Sequence, residues 1–287
     1  MFVVMTIKEL YRNFLLQLQD IYSLSEATVI TDRVFEKVAG IRRTDLVKDP
    51  ARVLNDKTIE QLNSSLAQLQ QHKPVQYVLG EGWFYHLKLK INEHVLIPRP
   101  ETEELVELII ADRRSRLTDI SVLDIGTGSG CIPIALKKNL PAAIINAIDV
   151  SEAALVVAKE NAKDHNAAIN FTQMDFLEEE QWEDLSMFDI IVSNPPYIPE
   201  SEKKQIATNV LDHEPHMALF VPDNRPLLFY EKIAVFGKTH LKPNGKMYME
   251  THSGQAGAVA ALFQNIYSSV EIKNDLFGKE RMVIVSY

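Results

Sequence analysis

The chain has 287 residues, 46% of them hydrophobic, which is room for one large or two ordinary domains of a globular protein. No apolar run approaches the ~18 residues of a membrane span, Met1 to Thr6 is too short and uncharged for a secretory signal, and the lone Cys131 excludes an internal disulfide and a thiolate metal cluster. A cytoplasmic protein with no metal and no membrane partner is therefore expected. The net charge of −9 is uneven: residues 1–73 carry ten Lys and Arg against nine Asp and Glu, leaving twenty against thirty for the rest, an acidic portion that repels phosphate and argues against direct double-stranded DNA binding.

Residues 1–73 read as a small helical bundle. Ile7, Leu10, Tyr11, Phe14, Leu18 and Ile21 recur at three- and four-residue intervals and give a first helix one apolar stripe. A second helix is expected from Ser25 to Val38 with Gly40 as its stop, and a third from Asp56 to Gln71. The segment has no glycine loop and no cluster of titratable residues, so it is assigned to recognition or scaffolding.

Residues 74–100 read as a hairpin linker. Leu87, Leu89 and Ile91 alternate with Lys88 and Lys90, Asn92 and Glu93 supply a turn, and Val95 to Ile97 return. Two prolines then stiffen Ile97 to Thr102 before a helix expected over Glu101–Ser115. From 101 onward strands and helices alternate. Strands are expected at Val122–Ile125, Ile144–Val150, Asn170–Thr172 and Asp189–Ser193, and again at Lys246–Glu250 after a Pro243–Gly245 turn, with helices between. Such alternation means a mostly parallel sheet covered on both faces. The last two strands, Val270–Ile272 and Met282–Ser286, have no long crossover, so an antiparallel edge is expected.

Three strand ends carry polar features. The first runs into Asp124, Ile125, Gly126, Thr127, Gly128, Ser129, Gly130 and directly into a helix, where glycines permit a tight turn and close approach of a ligand to free N–H groups. The third glycine falls one residue too early for a dinucleotide fingerprint, which argues against NAD. The second strand ends in Asp149, placed to accept hydrogen bonds from ribose hydroxyls. The third is followed by Asp175, an acceptor for an exocyclic amine, and Phe176, a ring to pack on a base. Together these describe a nucleoside site without a pyrophosphate, which fits S-adenosyl-L-methionine.

The fourth strand runs into Asn194, Pro195, Pro196 and Tyr197. A Pro-Pro step offers carbonyl acceptors and almost no donors on a backbone of fixed φ. Asn194 adds a side-chain carbonyl, and Tyr197 a flat aromatic wall. Two acceptors and one wall suit a planar NH2 group.

With these motifs the chain resembles the HemK/PrmC family of bacterial N5-glutamine methyltransferases. The similarity spans the helical N-terminal segment, Pro74 to Gly80, Ile97 to Thr102, the Asp124 to Gly130 loop and the Asn194 to Tyr197 tetrad. The tetrad alone is shared with adenine and cytosine amino-methyltransferases; Pro74 to Gly80 with Ile97 to Thr102 is far more specific. The resemblance implies a Rossmann-like methyltransferase domain over 101–287 behind a substrate-recognition domain over 1–73. It also implies a protein substrate, the glutamine of the Gly-Gly-Gln loop of class 1 peptide chain release factors. By the same likeness Gly126 to Gly130 and Asp149 hold the cofactor, Phe176 flanks its adenine, and Asn194, Pro195, Pro196 and Tyr197 grip the glutamine amide; Asn194 is also expected among the cofactor contacts, at the methionine end. One departure is Glu250 to Gly254, where the family usually places a glycine sooner after the acid. Three alternatives stand beside this reading: a glutamine methyltransferase acting on a ribosomal protein, a nucleic-acid amino-methyltransferase, and a non-catalytic cofactor-binding protein. The acidic charge disfavours the second, and the intact tetrad the third.

Overall fold

The computed structural model describes residues 5–113 and 120–287, and divides them into two compact units. The first comprises the described residues up to Gly80 together with residues 207–213. It contains α1 (Ile7–Leu18), α2 (Leu24–Val34), α3 (Arg43–Lys48), α4 (Asp56–Gln70) and α5 (Val75–Leu79). Each long helix starts on a side-chain cap: Thr6 and Glu9 form a capping box on α1, Ser23 caps α2 and Asn55 caps α4. The apolar stripe of α1 meets α2 and α4 in one core, in which Phe14 packs edge-on against Phe35 with ring centroids 5.5 Å apart. The second helix changes to a π turn over Phe35–Ala39 and stops at Gly40, whose φ of 64° is the left-handed value a helix stop demands. His213, from far along the chain, shares a 2.9 Å hydrogen bond with the Gln71 carbonyl.

The second unit comprises the described residues of 81–206 and 214–287. It opens with a hairpin, β1 (Glu81–Phe84) and β2 (Leu87–Lys90), followed by α6 (Pro100–Arg113). The hairpin therefore lies earlier than expected. Its turn is Tyr85–His86, two non-glycine residues with positive φ of 47° and 64°, and Val95 to Ile97 form no strand. Val75–Leu79 is helical, and residues 74–80 go with the first unit. The expected extension of α6 to Ser115 lies outside the described residues.

The remaining elements, in order, are β3 (Ser121–Ile125), α7 (Cys131–Asn139), β4 (Ile144–Asp149), α8 (Glu152–Asp164), β5 (Asn170–Gln173), β6 (Phe188–Ser193), β7 (Ile198–Pro199), α9 (Thr208–Leu211), β8 (Phe220–Val221), α10 (Leu228–His240), β9 (Leu241–Glu250), α11 (Ala256–Gln264), β10 (Ser269–Asn274) and β11 (Glu280–Ser286). Of these, α9 falls in the first unit. The main sheet has the order β10-β11-β9-β6-β3-β4-β5. The five strands β9 to β5 are mutually parallel; β11 runs against β9, and the edge strand β10 runs against β11. The strand opposing the parallel set is thus one place in from the edge. The expected Pro243–Gly245 turn lies inside β9 as an irregularity. There Phe188 pairs with Leu241 but Ile190 with Lys246, and Asn244 has φ 63°.

The order of the sheet locates the site. Strands β3, β4 and β5 proceed one way across it and β6 and β9 the other, so the crevice beyond the carboxyl ends of β3 and β6 is the topological switch point where such sheets bind ligands.

Candidate active site

A continuous row of paired residues, Met249, Ser193, Ile125, Ile148 and Thr172, crosses the five parallel strands near their carboxyl ends. One residue further along each strand stand Glu250, Asn194, Gly126, Asp149 and Gln173. The ladder of backbone hydrogen bonds thus brings the tetrad, the glycine loop and two acids to one rim, although 124 positions separate Gly126 from Glu250 in sequence.

The glycine loop is held from three sides. Gly126 and Thr127 N–H donate to the Ile148 carbonyl at 2.9 and 3.0 Å. Gly128 N–H donates to Asp149 Oδ2 at 2.8 Å, and Ser151 N–H to Oδ1 at 2.9 Å. Gly130 caps α7 with φ 79°, and a Cβ there would lie 3.2 Å from the Ala158 Cβ, so that position requires glycine for both conformation and space. Burial pushes the Asp149 carboxyl up, with the backbone N–H groups of Ser151, Gly128 and Val150 opposing it. From beneath, the buried Asn161 donates to the Ser129 and Lys90 carbonyls at 3.0 Å each and accepts from Lys90 N–H at 2.7 Å, tying β2 to the loop.

Asp124 is fully buried, and among the described residues neither of its carboxylate oxygens has a hydrogen-bond partner; the buried hydroxyls of Thr127 and Ser129, in the loop that follows, likewise have none there. Burial pushes the Asp124 carboxyl up to about 7, while the Thr127 hydroxyl, near it but outside hydrogen-bonding geometry, pulls it back in part and Asp149 adds repulsion. Four orphaned oxygens in one place are costly for a folded protein, and a polar ligand that met them would remove the cost. Sequence pattern marked Asp124 only as the start of the loop; its strand-terminal position next to three glycines was the available signal.

The two expected base-binding residues have partners within the protein. Asp175 Oδ1 accepts from Leu177 N–H at 3.0 Å, so this carboxylate caps its own turn. Phe176 is 5% exposed: its ring stacks on Trp182 at 5.2 Å and meets Phe236 edge-on at 5.3 Å, inside the core. Cys131, at the start of α7, has its thiol pushed up to about 12, chiefly by burial.

The tetrad occupies the loop between β6 and β7. Ser193 anchors it by donating to the Ile125 carbonyl at 2.8 Å. Asn194 Nδ2 donates to Thr102 Oγ1 at 3.1 Å, and Thr102 Oγ1 donates to Glu250 Oε2 at 2.6 Å. Tyr197 packs against the core and reaches Glu250 Oε1 at 3.5 Å; burial and the nearby Glu250 charge both hold its hydroxyl well above the usual phenol range. Thr102 lies in the first turn of α6, placed by the proline-stiffened strut. Arg99 in that strut pairs with Glu214 at 2.6 Å, and the other Glu214 oxygen accepts from Ile97 N–H at 3.1 Å. Neither Thr102 nor Glu214 was marked as a site residue by spacing, because the partners of each lie more than ninety residues away.

Comparison with known proteins agrees across the whole length. A Methyltransferase small domain model matches residues 102–218, and a PrmC N-terminal domain model matches residues 9–80. A release factor glutamine methyltransferase of Flavobacterium psychrophilum is 43% identical over 287 residues, covering 99% of this chain and 100% of its own. Proteins of the same description from Bacteroides thetaiotaomicron and Streptococcus pneumoniae are 39% and 46% identical, covering 93% and 76% of this chain and 95% and 76% of their own. Similarity of this extent, end to end over both units, means that the chain belongs to the release factor glutamine methyltransferase family.

Proposed function

We infer that the protein transfers a methyl group from S-adenosyl-L-methionine to the side-chain amide nitrogen of the glutamine in the Gly-Gly-Gln loop of class 1 peptide chain release factors. The observation that carries this reading is the rim itself: a tetrad whose Pro-Pro backbone offers acceptors and no N–H donors stands one strand away from a glycine loop, at the switch point of a parallel sheet. The unpartnered buried oxygens of Asp124, Thr127 and Ser129 fit the polar amino-acid end of the cofactor, Asp149 fits its ribose, and the Asp175 turn, backed by Phe176, borders its base. When bound, the cofactor supplies a methyl group already activated on a sulfonium sulfur.

The chain's own residues then have a positioning task. An amide nitrogen is a weak nucleophile because its lone pair is delocalised. Asn194 Oδ1 and the Pro195 carbonyl each accept one N–H of the substrate amide and so point the nitrogen orbital at the methyl carbon. Their partial negative charge stabilises the positive charge that grows on nitrogen as its bond to carbon would form and the sulfur–methyl bond break, and the proton that the methylated nitrogen must then lose would pass to solvent as the product leaves. Pro196 fixes the backbone of this cradle, and Tyr197 covers the amide plane and excludes water. The helical unit, with no element of this rim, serves recognition of the protein substrate.

Purified protein incubated with release factor and cofactor should add one methyl group to the Gly-Gly-Gln glutamine, seen by peptide mass spectrometry. Methylation of a ribosomal protein but not of release factor, or of another residue, would overturn the reading.

A further inference from the structure

The Asn194 side chain ends a polar chain whose direction is fixed by proton count. Glu250, 1% exposed at the end of β9, accepts the Thr102 hydroxyl proton at 2.6 Å. A hydroxyl has one proton, so what remains toward Asn194 is lone pairs alone. Asn194 meets them with its NH2 at 3.1 Å, which turns its carbonyl oxygen away from α6. The two ends of an Asn amide are nearly the same size, and shape alone does not choose between them. A flipped amide would present a donor where the substrate N–H requires an acceptor.

We propose that Thr102 and Glu250 are positioning residues that lock the Asn194 amide in its acceptor-forward orientation toward a primary-amide substrate. This rests on the reading of Asn194 as an acceptor given above, and neither residue touches the substrate. The lock depends on Glu250 being ionised. A protonated Glu250 would donate to Thr102 and release the hydroxyl proton, so that Thr102 could either accept from or donate to Asn194 and neither amide orientation would be fixed. The groups facing Glu250 are Glu101 from α6, Cys131 from α7, Tyr197 from the tetrad, Tyr230 from α10 and Arg281 from β11. Tyr230 bonds the Glu250 backbone carbonyl at 2.9 Å, so it does not compete for the carboxylate. Burial pushes the Glu250 carboxyl up to about 7; Thr102, Arg281 and Tyr197 pull it down and Glu101 pushes it up. The kcat should accordingly fall as pH drops through that value.

The test uses the full chain, with Thr102→Val, Thr102→Ser, Glu250→Gln and Asn194→Ala, measuring kcat and KM on release factor and cofactor affinity by calorimetry. Thr102→Val should lower kcat about 10- to 100-fold, below the loss from removing a direct partner of the developing charge. Cofactor affinity should stay within about two-fold, and Thr102→Ser should restore most of the rate, because only the hydroxyl matters. Glu250→Gln should flatten the acid limb of the kcat profile. In the Asn194→Ala background, Thr102→Val should cost nothing further, since its effect passes through Asn194. Full additivity of the two losses, or a wild-type kcat in folded Thr102→Val, would overturn the lock and leave the methyl-transfer reading intact. Absence of release factor methylation by the wild type would overturn that reading instead. If Thr102→Val does not fold, Glu250→Gln carries the same test: an unchanged acid limb refutes the lock.

Discussion

Asp124→Asn should make the protein more stable at alkaline pH while impairing cofactor binding. Raising a buried carboxyl from its ordinary 3.8 to about 7 corresponds, at about 1.4 kcal/mol per pH unit, to about 4 kcal/mol against folding once the group is ionised. The sign follows from proton uptake: between the two values the folded state holds a proton that the unfolded state has lost, so wild-type stability declines as pH rises through this window and is not penalised below it. The asparagine never ionises but leaves its own amide unpartnered, a pH-independent cost of about 1–3 kcal/mol. The variant should therefore gain about 1–3 kcal/mol at pH 8, match the wild type near pH 5, and be the weaker protein below that. Denaturant unfolding followed by tryptophan fluorescence reads this unit directly, because both tryptophans, Trp83 and Trp182, lie in it. A variant no more stable than wild type at pH 8, or a difference that does not change with pH, refutes the account of Asp124 as an uncompensated buried acid.

Asn194→Ala should lower kcat by about 10² to 10³ with cofactor affinity unchanged, whereas Asn194→Asp, which keeps an acceptor, should retain measurable activity; steady-state kinetics with calorimetry checks both. Asp149→Ala should weaken cofactor binding by about 1.5–3 kcal/mol, and because Asp149 also holds the Gly128 N–H, hydrogen exchange of the loop amides should quicken in the free protein. Cys131, its thiol pushed up to about 12, should resist alkylation at pH 8 for as long as the protein stays folded.

The parts of the site that depend on local chain geometry were legible in the sequence. Gly126, Gly128 and Gly130 between a β-branched run and a helix imply the loop, and two prolines after Phe188–Ser193 imply a strand end. The α8 helix follows from the alternation of strands and helices, and the structure adds its Ser151 cap. What depends on pairing at a distance was not legible. Thr102 has meaning only beside Asn194 and Glu250, and Asn161 only beneath Ser129. The sequence likewise gives no account of Trp182 and Phe236 packing on the ring of Phe176. The hairpin was misplaced for a different reason. Asn92–Glu93 has the composition of a turn, while the actual turn is made by Tyr85 and His86, residues that rarely accept positive φ and give no compositional cue.

The irregularity in β9 separates two regions of different tolerance to insertion and deletion. Residues 242–245 are looped out of the ladder at the amino-terminal end of that strand, while Lys246 to Met249 stay in strict register with Ile190 to Ser193. Length changes at Pro243–Gly245 would be absorbed there without moving the far end. One residue added after Lys246 would instead rotate every later side chain to the opposite face of the sheet, carrying Glu250 away from Thr102. The chain can therefore drift in length on one side of Lys246 and is frozen on the other, a boundary that a deep insertion and deletion scan would reveal as a step in surviving activity.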